Sequence, residues 1–101
     1  MIYKTFKIAN QKIQTILLDS LPGGEYGKFN DAKNQIILAK TIEVEGEIIE
    51  LSPSQIENSF YHEVIHAFQF YYNNDFDEAQ AQVYANFICE MLASGLVLEE
   101  Q

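Results

Sequence analysis

The second half of the chain contains one long stretch with the pattern of a single helix, from Ser52 to Tyr72. It opens with Ser52-Pro53-Ser54-Gln55, which combines a serine N-cap, a proline at the first helical position and a glutamine suited to a capping box. No breaker follows until Asn73-Asn74, so the pattern predicts a helix over 53–72. Such a helix is about 30 Å long, and it is the longest element that the sequence predicts.

A second helix is predicted over 76–94. Asp75-Phe76-Asp77-Glu78 repeats the capping-box pattern in an acidic form, with Asp75 as the N-cap and Glu78 at the third helical position. Apolar residues at helical spacing continue to Leu92, and Gly95 marks the end. The connection to the first helix is only a few residues long, so we expect the two helices to be antiparallel neighbours.

Residues 1–51 are predicted to form strands and turns, because runs of β-forming residues alternate with turn-forming ones. The runs lie at 3–9, 12–19, 26–29, 35–39 and 41–51, the last divided by Glu45-Gly46. Together the halves predict one α+β domain over 1–101, with a small and mostly antiparallel sheet packed on the two helices.

The composition limits the possible partners. Of the 101 residues, 48% are hydrophobic, so a folded domain is expected. The net charge of −9 and the absence of clustered lysines argue against binding nucleic acid. No apolar run is long enough to span a membrane, and the N-terminus lacks a secretory signal. The single cysteine, Cys89, fits a reducing compartment, so the sequence predicts a cytoplasmic protein without a membrane partner. The oligomeric state stays open.

Both histidines lie in His62-Glu63-Val64-Ile65-His66, four residues apart. On a helix this spacing puts them on one face, where both imidazoles can bind a single ion. Glu63 projects about 100° around the helix, within reach of a zinc-bound water for which it can act as general base. Two histidines fall at this spacing by chance in roughly 2 per cent of arrangements, and an adjacent Glu reduces the chance to about 1 in 500. The competing interpretation is a pair of surface histidines.

A catalytic zinc site needs a third protein ligand, which here must be a carboxylate or, as a weaker alternative, Cys89. Glu78 is the best candidate, because it opens the second helix where an antiparallel partner faces His66. The alternative for Glu78 is a helix-capping role alone. Asp75 and Asp77 are rival ligands, or outer carboxylates that hold a ligand imidazole.

Two further features have functional and structural interpretations. Tyr84 could donate a hydrogen bond to an oxyanion in a chain that contains no arginine, although a half-buried structural tyrosine is the commoner case. The tail over 96–101 is a candidate to fold over the cleft.

The motif His62-Glu63-Val64-Ile65-His66, followed by 78–85, resembles the gluzincin arrangement of HExxH with a downstream E-x-x-A-x-x-[FY]-A helix. It is most similar to small phage-encoded and mobile-element metallopeptidase-like proteins related to the ImmA/IrrE family. The stretch 26–34 also looks like the strand before the active-site helix in those proteins.

The resemblance implies a zincin-like fold, a zinc cofactor, the ligands His62, His66 and Glu78, and Glu63 as general base. In such peptidases an edge strand pairs with an extended substrate. The candidate strand here consists of Gln35, Ile36, Ile37, Leu38 and Ala39.

The sequence therefore predicts zinc-dependent hydrolysis of a peptide or protein substrate of unknown identity. A metal-stabilised binding or regulatory module without turnover is the main alternative. An accidental motif in a structural protein is the third interpretation. Manganese, iron or nickel could also occupy such a ligand set.

Overall fold

The secondary structure comprises six strands and two α-helices, seen in a computed structural model that describes residues 2–73, 76–96 and 98. The strands are β1 (Thr5–Ile8), β2 (Gln11–Leu18), β3 (Gly27–Asn30), β4 (Gln35–Ala39), β5 (Thr41–Val44) and β6 (Glu47–Glu50). The helices are α1 (Pro53–Phe68) and α2 (Glu78–Ser94), with a 3₁₀ turn at Pro22–Gly24 and a π-helical segment at Gln69–Asn73. The predicted α+β class is confirmed.

The main sheet is mixed, with the strand order β1-β2-β4-β3. The outer pairs β1–β2 and β3–β4 are antiparallel, whereas the central pair β2–β4 is parallel. Ala9 and Asn10 connect β1 to β2 with positive φ angles of 51° and 64°, the backbone that a tight hairpin turn requires. Strands β5 and β6 form a separate antiparallel hairpin. Three of the four described strand pairs are antiparallel, in line with the prediction of a mostly antiparallel sheet, and the parallel pair β2–β4 at the centre was not foreseen.

The strand β4, predicted to be a free edge that binds substrate, lies inside the sheet. It pairs with β2 on one side and with β3 on the other. Ile36 and Leu38 are fully buried in the core. A strand whose two edges are both paired offers no row of free N–H and C=O groups to a peptide. The prediction for residues 35–39 is therefore wrong, and the edges of the main sheet are β1 and β3.

The core lies between the main sheet and α1. Phe60 of α1 packs against Ile13, Ile36 and Leu38 of the two central strands, and all four side chains are buried. The ring of Phe6 meets that of Phe60 edge to face, with centroids 5.7 Å apart. This packing fixes α1 against the sheet, so the face that carries His62 is held in a defined orientation toward α2.

The helix α1 begins with the predicted capping box. Gln55 N–H donates to Ser52 Oγ over 3.2 Å, and Ser52 N–H donates to Gln55 Oε1 over 2.8 Å. Its far end differs from the prediction of a single helix over 53–72, because the α-helical turns stop at Phe68 and the chain continues as the π-helical segment. The wider turn coincides with the buried Gln69, whose carboxamide bonds to the chain just before α2.

The helix α2 runs antiparallel to α1, as their side-chain contacts show: Asn58 contacts Asn86, whereas His62, one turn further along α1, contacts Gln82. Ala81 and Ala85 are fully buried in α2, consistent with close approach of the two helices. Within the described residues, neither helix has the length and apolar character needed to cross a membrane.

Candidate metal centre

Three ligand atoms converge between α1 and α2. His62 Nε2 and His66 Nε2 are 3.1 Å apart. Glu78 Oε2 lies 3.2 Å from His62 Nε2, and Glu78 Oε1 lies 2.6 Å from His66 Nε2. Zinc bonds of 2.0–2.1 Å in tetrahedral geometry place neighbouring donors about 3.3 Å apart. The two histidine nitrogens are therefore spaced nearly as two corners of a zinc coordination sphere, and the Glu78 carboxylate places one oxygen against each of them. Among the described histidines, cysteines and carboxylates, this is the group that could hold a metal ion.

Local structure places each donor. His62 and His66 stand one turn apart on α1, and Glu78 is the first residue of α2. The N-cap of α2 is Asp77, whose Oδ1 accepts the backbone N–H of Gln80 over 2.9 Å. The predicted capping box, with Asp75 as N-cap and Glu78 at the third position, is therefore wrong. Glu78 has no capping role that would compete with the metal, and Asp75 lies outside the described residues.

The buried carboxamide of Gln69 fixes the orientation of His66. Gln69 Nε2 donates to Gln80 Oε1 over 2.7 Å and to the backbone carbonyl of Asp77 over 3.4 Å. Gln69 Oε1 accepts the backbone N–H of Asp77 over 3.3 Å and lies 3.1 Å from His66 Nδ1. Because Oε1 can only accept, the Nδ1–H of His66 donates to it, and Nε2 is the ring nitrogen that faces Glu78.

The carboxamide of Gln82 fixes the orientation of His62 in the same way. Gln82 Oε1 lies 2.9 Å from His62 Nδ1. Gln82 Nε2 donates to Asn58 Oδ1 over 3.1 Å and to Asn86 Oδ1 over 2.8 Å. This network points the Gln82 oxygen at the ring, so the Nδ1–H of His62 donates to it and Nε2 faces His66 and Glu78.

The donor set fits a divalent cation. Both Nδ1 atoms have carboxamide partners, so the two Nε2 atoms are left facing each other and the Glu78 carboxylate. A positive ion at their centre would satisfy all three at once. The nitrogen and oxygen atoms match the ligand types that zinc takes in catalytic sites with two histidines and one glutamate.

Replacing Gln82 with leucine is expected to weaken zinc binding about 10- to 100-fold, because His62 loses the acceptor that fixes its tautomer. The matched control is Ala79→Leu, which introduces the same side chain at an exposed position of the same helix. Competition with a chromogenic chelator measures both affinities. Equal affinities for the two variants would contradict the assignment.

The side chain of Glu63 is buried beside the three candidate ligands, with 7% of the residue exposed. Burial, and next the negative charges of Glu78 and Glu25, raise its pKa from 4.5 to about 8, while a hydrogen bond from the Phe29 backbone opposes the shift. Gly27 faces Glu63 across this contact, and a Cβ there would be crowded mainly by β4, at 3.1 Å from the Ile37 carbonyl oxygen and from Leu38 Cδ2, and would lie 3.4 Å from Glu63 Cγ. Glu63 is thus held between α1 and β3 and protonates easily when no cation is near.

This raised pKa predicts how the stability of the metal-free protein depends on pH. Between pH 4.5 and about 8 the folded chain keeps a proton at Glu63 that the unfolded chain has lost. The free energy of unfolding should therefore fall as the pH rises through this window, with a slope of up to about 1.4 kcal/mol per pH unit. In Glu63→Gln this contribution should vanish, whereas the exposed control Glu90→Gln should keep it. Urea unfolding with chelator present measures the slopes, and identical slopes in wild type and Glu63→Gln would refute the prediction.

A cleft of about 800 Å³ opens beside the three donors. Its walls are the segment from Glu25 to Phe29, which includes most of β3, the cleft-facing side of α1, and the N-terminal turns of α2. Phe76 also lines the cleft, with its ring 5.4 Å from that of His66. The three candidate ligands and Glu63 therefore border the same open cleft.

The remaining predicted site residues lie elsewhere. Tyr84 is half exposed and does not line the cleft. Its position on α2 therefore does not support the predicted role of binding an oxyanion. Asp77 caps α2 through its side chain, and Cys89 contacts Asn58 at 3.7 Å, away from the three donors. The tail over 96–101 lies mostly outside the described residues.

The roles of Gln69 and Gln82 were not predicted from the sequence. Gln69 follows His66 by three residues, and Gln82 follows Glu78 by four, so each occupies the same helix face as a ligand. That spacing could have identified both as partners of the histidines.

Comparisons with known proteins add no relative. The chain matches no protein-family model, and neither the curated proteins nor the solved structures gave a significant match.

Proposed function

We propose that this protein hydrolyses peptide bonds with a zinc ion held by His62, His66 and Glu78. The observation that carries the proposal is the convergence of the two Nε2 atoms and the two Glu78 carboxylate oxygens, with contacts of 2.6–3.2 Å, at the wall of an open cleft that Glu63 also lines. When bound there, zinc acts as a Lewis acid and lowers the pKa of water to about 7.

Glu63 is the proposed general base. It sits on the same helix as the two histidines and lines the same cleft, so it can accept a proton from the attacking water and deliver it to the leaving amine. Its pKa of about 8 in the metal-free protein falls when a positive charge lies beside it. Burial, which raises the pKa of Glu63, and the positive charge of a bound metal, which lowers it, together bring this pKa close to neutral pH, where a general base works best.

The strand β3 is the proposed substrate-binding edge, in place of β4. Ala39 N–H donates to the Tyr26 carbonyl over 2.9 Å, and hydrogen-bonded pairs alternate along an antiparallel ladder. Gly27 and Phe29 therefore direct their backbone groups away from β4. The Phe29 N–H bonds to Glu63, which leaves the Gly27 groups and the Phe29 carbonyl for an extended peptide in the cleft.

The ligand set and base support the relationship inferred from the motif, that of a gluzincin-type peptidase with a zincin-like fold. The spacing of His62, Glu63 and His66 and the position of Glu78 at the start of the next helix are the features that the two have in common.

Incubation of the zinc-loaded protein with a mixed peptide library, read by mass spectrometry, tests the proposal. New termini should appear with zinc, disappear when a chelator is added, and return when zinc is restored. Stoichiometric zinc without cleavage of any peptide would refute hydrolysis and would instead favour a metal-stabilised binding module.

A further inference from the structure

The cleft beside the candidate metal centre differs in chemistry between its two ends. Phe76 lines the end nearest His66, and the centroids of these two rings are 5.4 Å apart. The residues of α1 that precede His62 and line the cleft are all polar: Ser54, Gln55, Asn58 and Ser59. A peptide that fills the cleft therefore meets an aromatic wall on one side of the metal ligands and a polar wall on the other.

The ring of Phe29, on β3, lies at the same end of the cleft as that of Phe76. Both rings contact Phe70, whose centroid is 5.9 Å from that of Phe29 and 6.2 Å from that of Phe76. Phe70 belongs to the π-helical segment after α1, so Phe29 lies toward the His66 end of that helix. We call Phe29, Phe70 and Phe76 the aromatic cluster. Phe29 and Phe76 are the members that line the cleft.

Much of Phe76 is left uncovered by the part of the chain that the structure describes. Its ring contacts those of His66 and Phe70, yet the residue is 56% exposed. A side chain that enters the cleft beside Phe76 can cover this surface, and the burial of apolar surface favours an apolar side chain there. A charged side chain would instead lose hydration against carbon atoms.

The strand β3 selects the substrate residue that reaches the aromatic cluster. Residues that pair on neighbouring strands direct their side chains to the same face of a sheet. Phe29 directs its ring to the face that carries Phe70, and a side chain at Gly27 would point at Glu63 on that same face. A peptide residue paired with Gly27 therefore lies beside Glu63, whereas the residue paired with Phe29 directs its side chain at the cluster.

We propose that Phe29 and Phe76 form a specificity subsite for an aromatic or large aliphatic side chain, carried by the substrate residue that pairs with Phe29. The subsite rests on the proposed function, because it assigns a substrate preference to the same cleft. Phe76 is the member to change in a test. Phe29 also packs against the hydrophobic core, whereas Phe76 is more than half exposed.

A library of end-capped peptides, randomised at every position and incubated with the zinc-loaded protein, tests the subsite by mass spectrometry of the products. Phenylalanine, tyrosine, leucine and methionine should be enriched at least about tenfold over serine and aspartate at one fixed position near the cleaved bond. Phe76→Ala should reduce this enrichment to less than about threefold, because it removes most of the exposed apolar wall. Phe76→Leu, which keeps a large apolar side chain, should retain most of it.

The matched control is Phe87→Ala, since Phe87 of α2 is 64% exposed and does not line the cleft. This variant should keep the wild-type enrichment. The competing role of Phe76 is to shield the His66 imidazole from water, and its loss would lower zinc content or the cleavage of all peptides alike. Zinc content and total product are therefore measured for each variant, and circular dichroism verifies that each is folded.

The possible results separate the subsite from the proposed function. Cleavage without an enriched apolar position, with a charged residue enriched there, or with an enrichment that Phe76→Ala leaves intact would overturn the subsite alone. If no peptide is cleaved, the same library is passed over the immobilised zinc-loaded proteins. Retention of apolar peptides by the wild type and Phe87→Ala, but not by Phe76→Ala, would then support the subsite and refute hydrolysis. Retention without that preference, or no retention, would overturn both.

Discussion

Replacing Glu63 with glutamine is expected to lower the rate of peptide cleavage by about 10²- to 10⁴-fold while zinc binding stays intact. Glutamine has nearly the same shape but cannot accept the proton from water. It retains an oxygen for the hydrogen bond from the Phe29 backbone, so the position of the side chain should be preserved. Measurement of kcat/KM and of zinc content in the same preparation separates catalysis from metal binding.

The matched control is Glu25→Gln, which removes a different carboxylate of the same cleft. Glu25 is exposed and is not one of the three metal donors, so its loss should alter kcat/KM by only a few fold. If both variants lost activity equally, the effect would arise from the charge of the cleft. If Glu63→Gln kept wild-type activity, Glu63 would not be the base.

Replacing Glu78 with alanine is expected to weaken zinc binding by more than the 10- to 100-fold that loss of an outer partner causes, because a direct ligand is removed. His62 and His66 would remain as two ligands with their Nδ1 partners unchanged. The folded structure should persist, since the Glu78 side chain is largely exposed and the cap of α2 belongs to Asp77. Zinc affinity is measured by competition with a chelator.

Asp77→Ala provides the control, because it removes the neighbouring carboxylate. It should lower the free energy of unfolding by about 1 kcal/mol through loss of the N-cap, yet bind zinc much more tightly than Glu78→Ala does. The reverse order of affinities would make Asp77 the third ligand and would refute the site as described.

The parts of the structure that follow from local chemistry were predictable from the sequence. The capping box at Ser52 and the start of α1 depend on residues within one turn. The common face of His62 and His66 likewise depends only on helical spacing. Glu78 was a candidate because the short connection requires antiparallel helices, and this consequence of chain length does not depend on the details of packing.

The pairing of the strands was harder to predict from the sequence, because it depends on contacts between residues that are distant in the chain. The parallel pair β2–β4 joins segments on either side of β3, and no local signal specifies that order. One signal was present but overlooked. Ile36-Ile37-Leu38-Ala39 is a continuous apolar run, which is typical of a strand covered on both faces and argues against an edge.

The exact start of α2 also could not be predicted from the sequence pattern. Asp75 and Asp77 are equally good N-caps, and each is followed by a suitable helix. The choice of Asp77 moves Glu78 from the third helical position to the first, where its side chain reaches both histidines. The tertiary contacts of Gln69 with Asp77 stabilise that choice, and they form only once the two helices meet.

A crystal structure of the zinc-loaded protein, with anomalous differences recorded at the zinc absorption edge, tests the central claim most directly. The arrangement of donors predicts one strong peak per chain, within about 2.0–2.2 Å of His62 Nε2, His66 Nε2 and a carboxylate oxygen of Glu78. A chain with no peak between α1 and α2, or with zinc bound there while Glu78 lies outside bonding distance, would contradict the site.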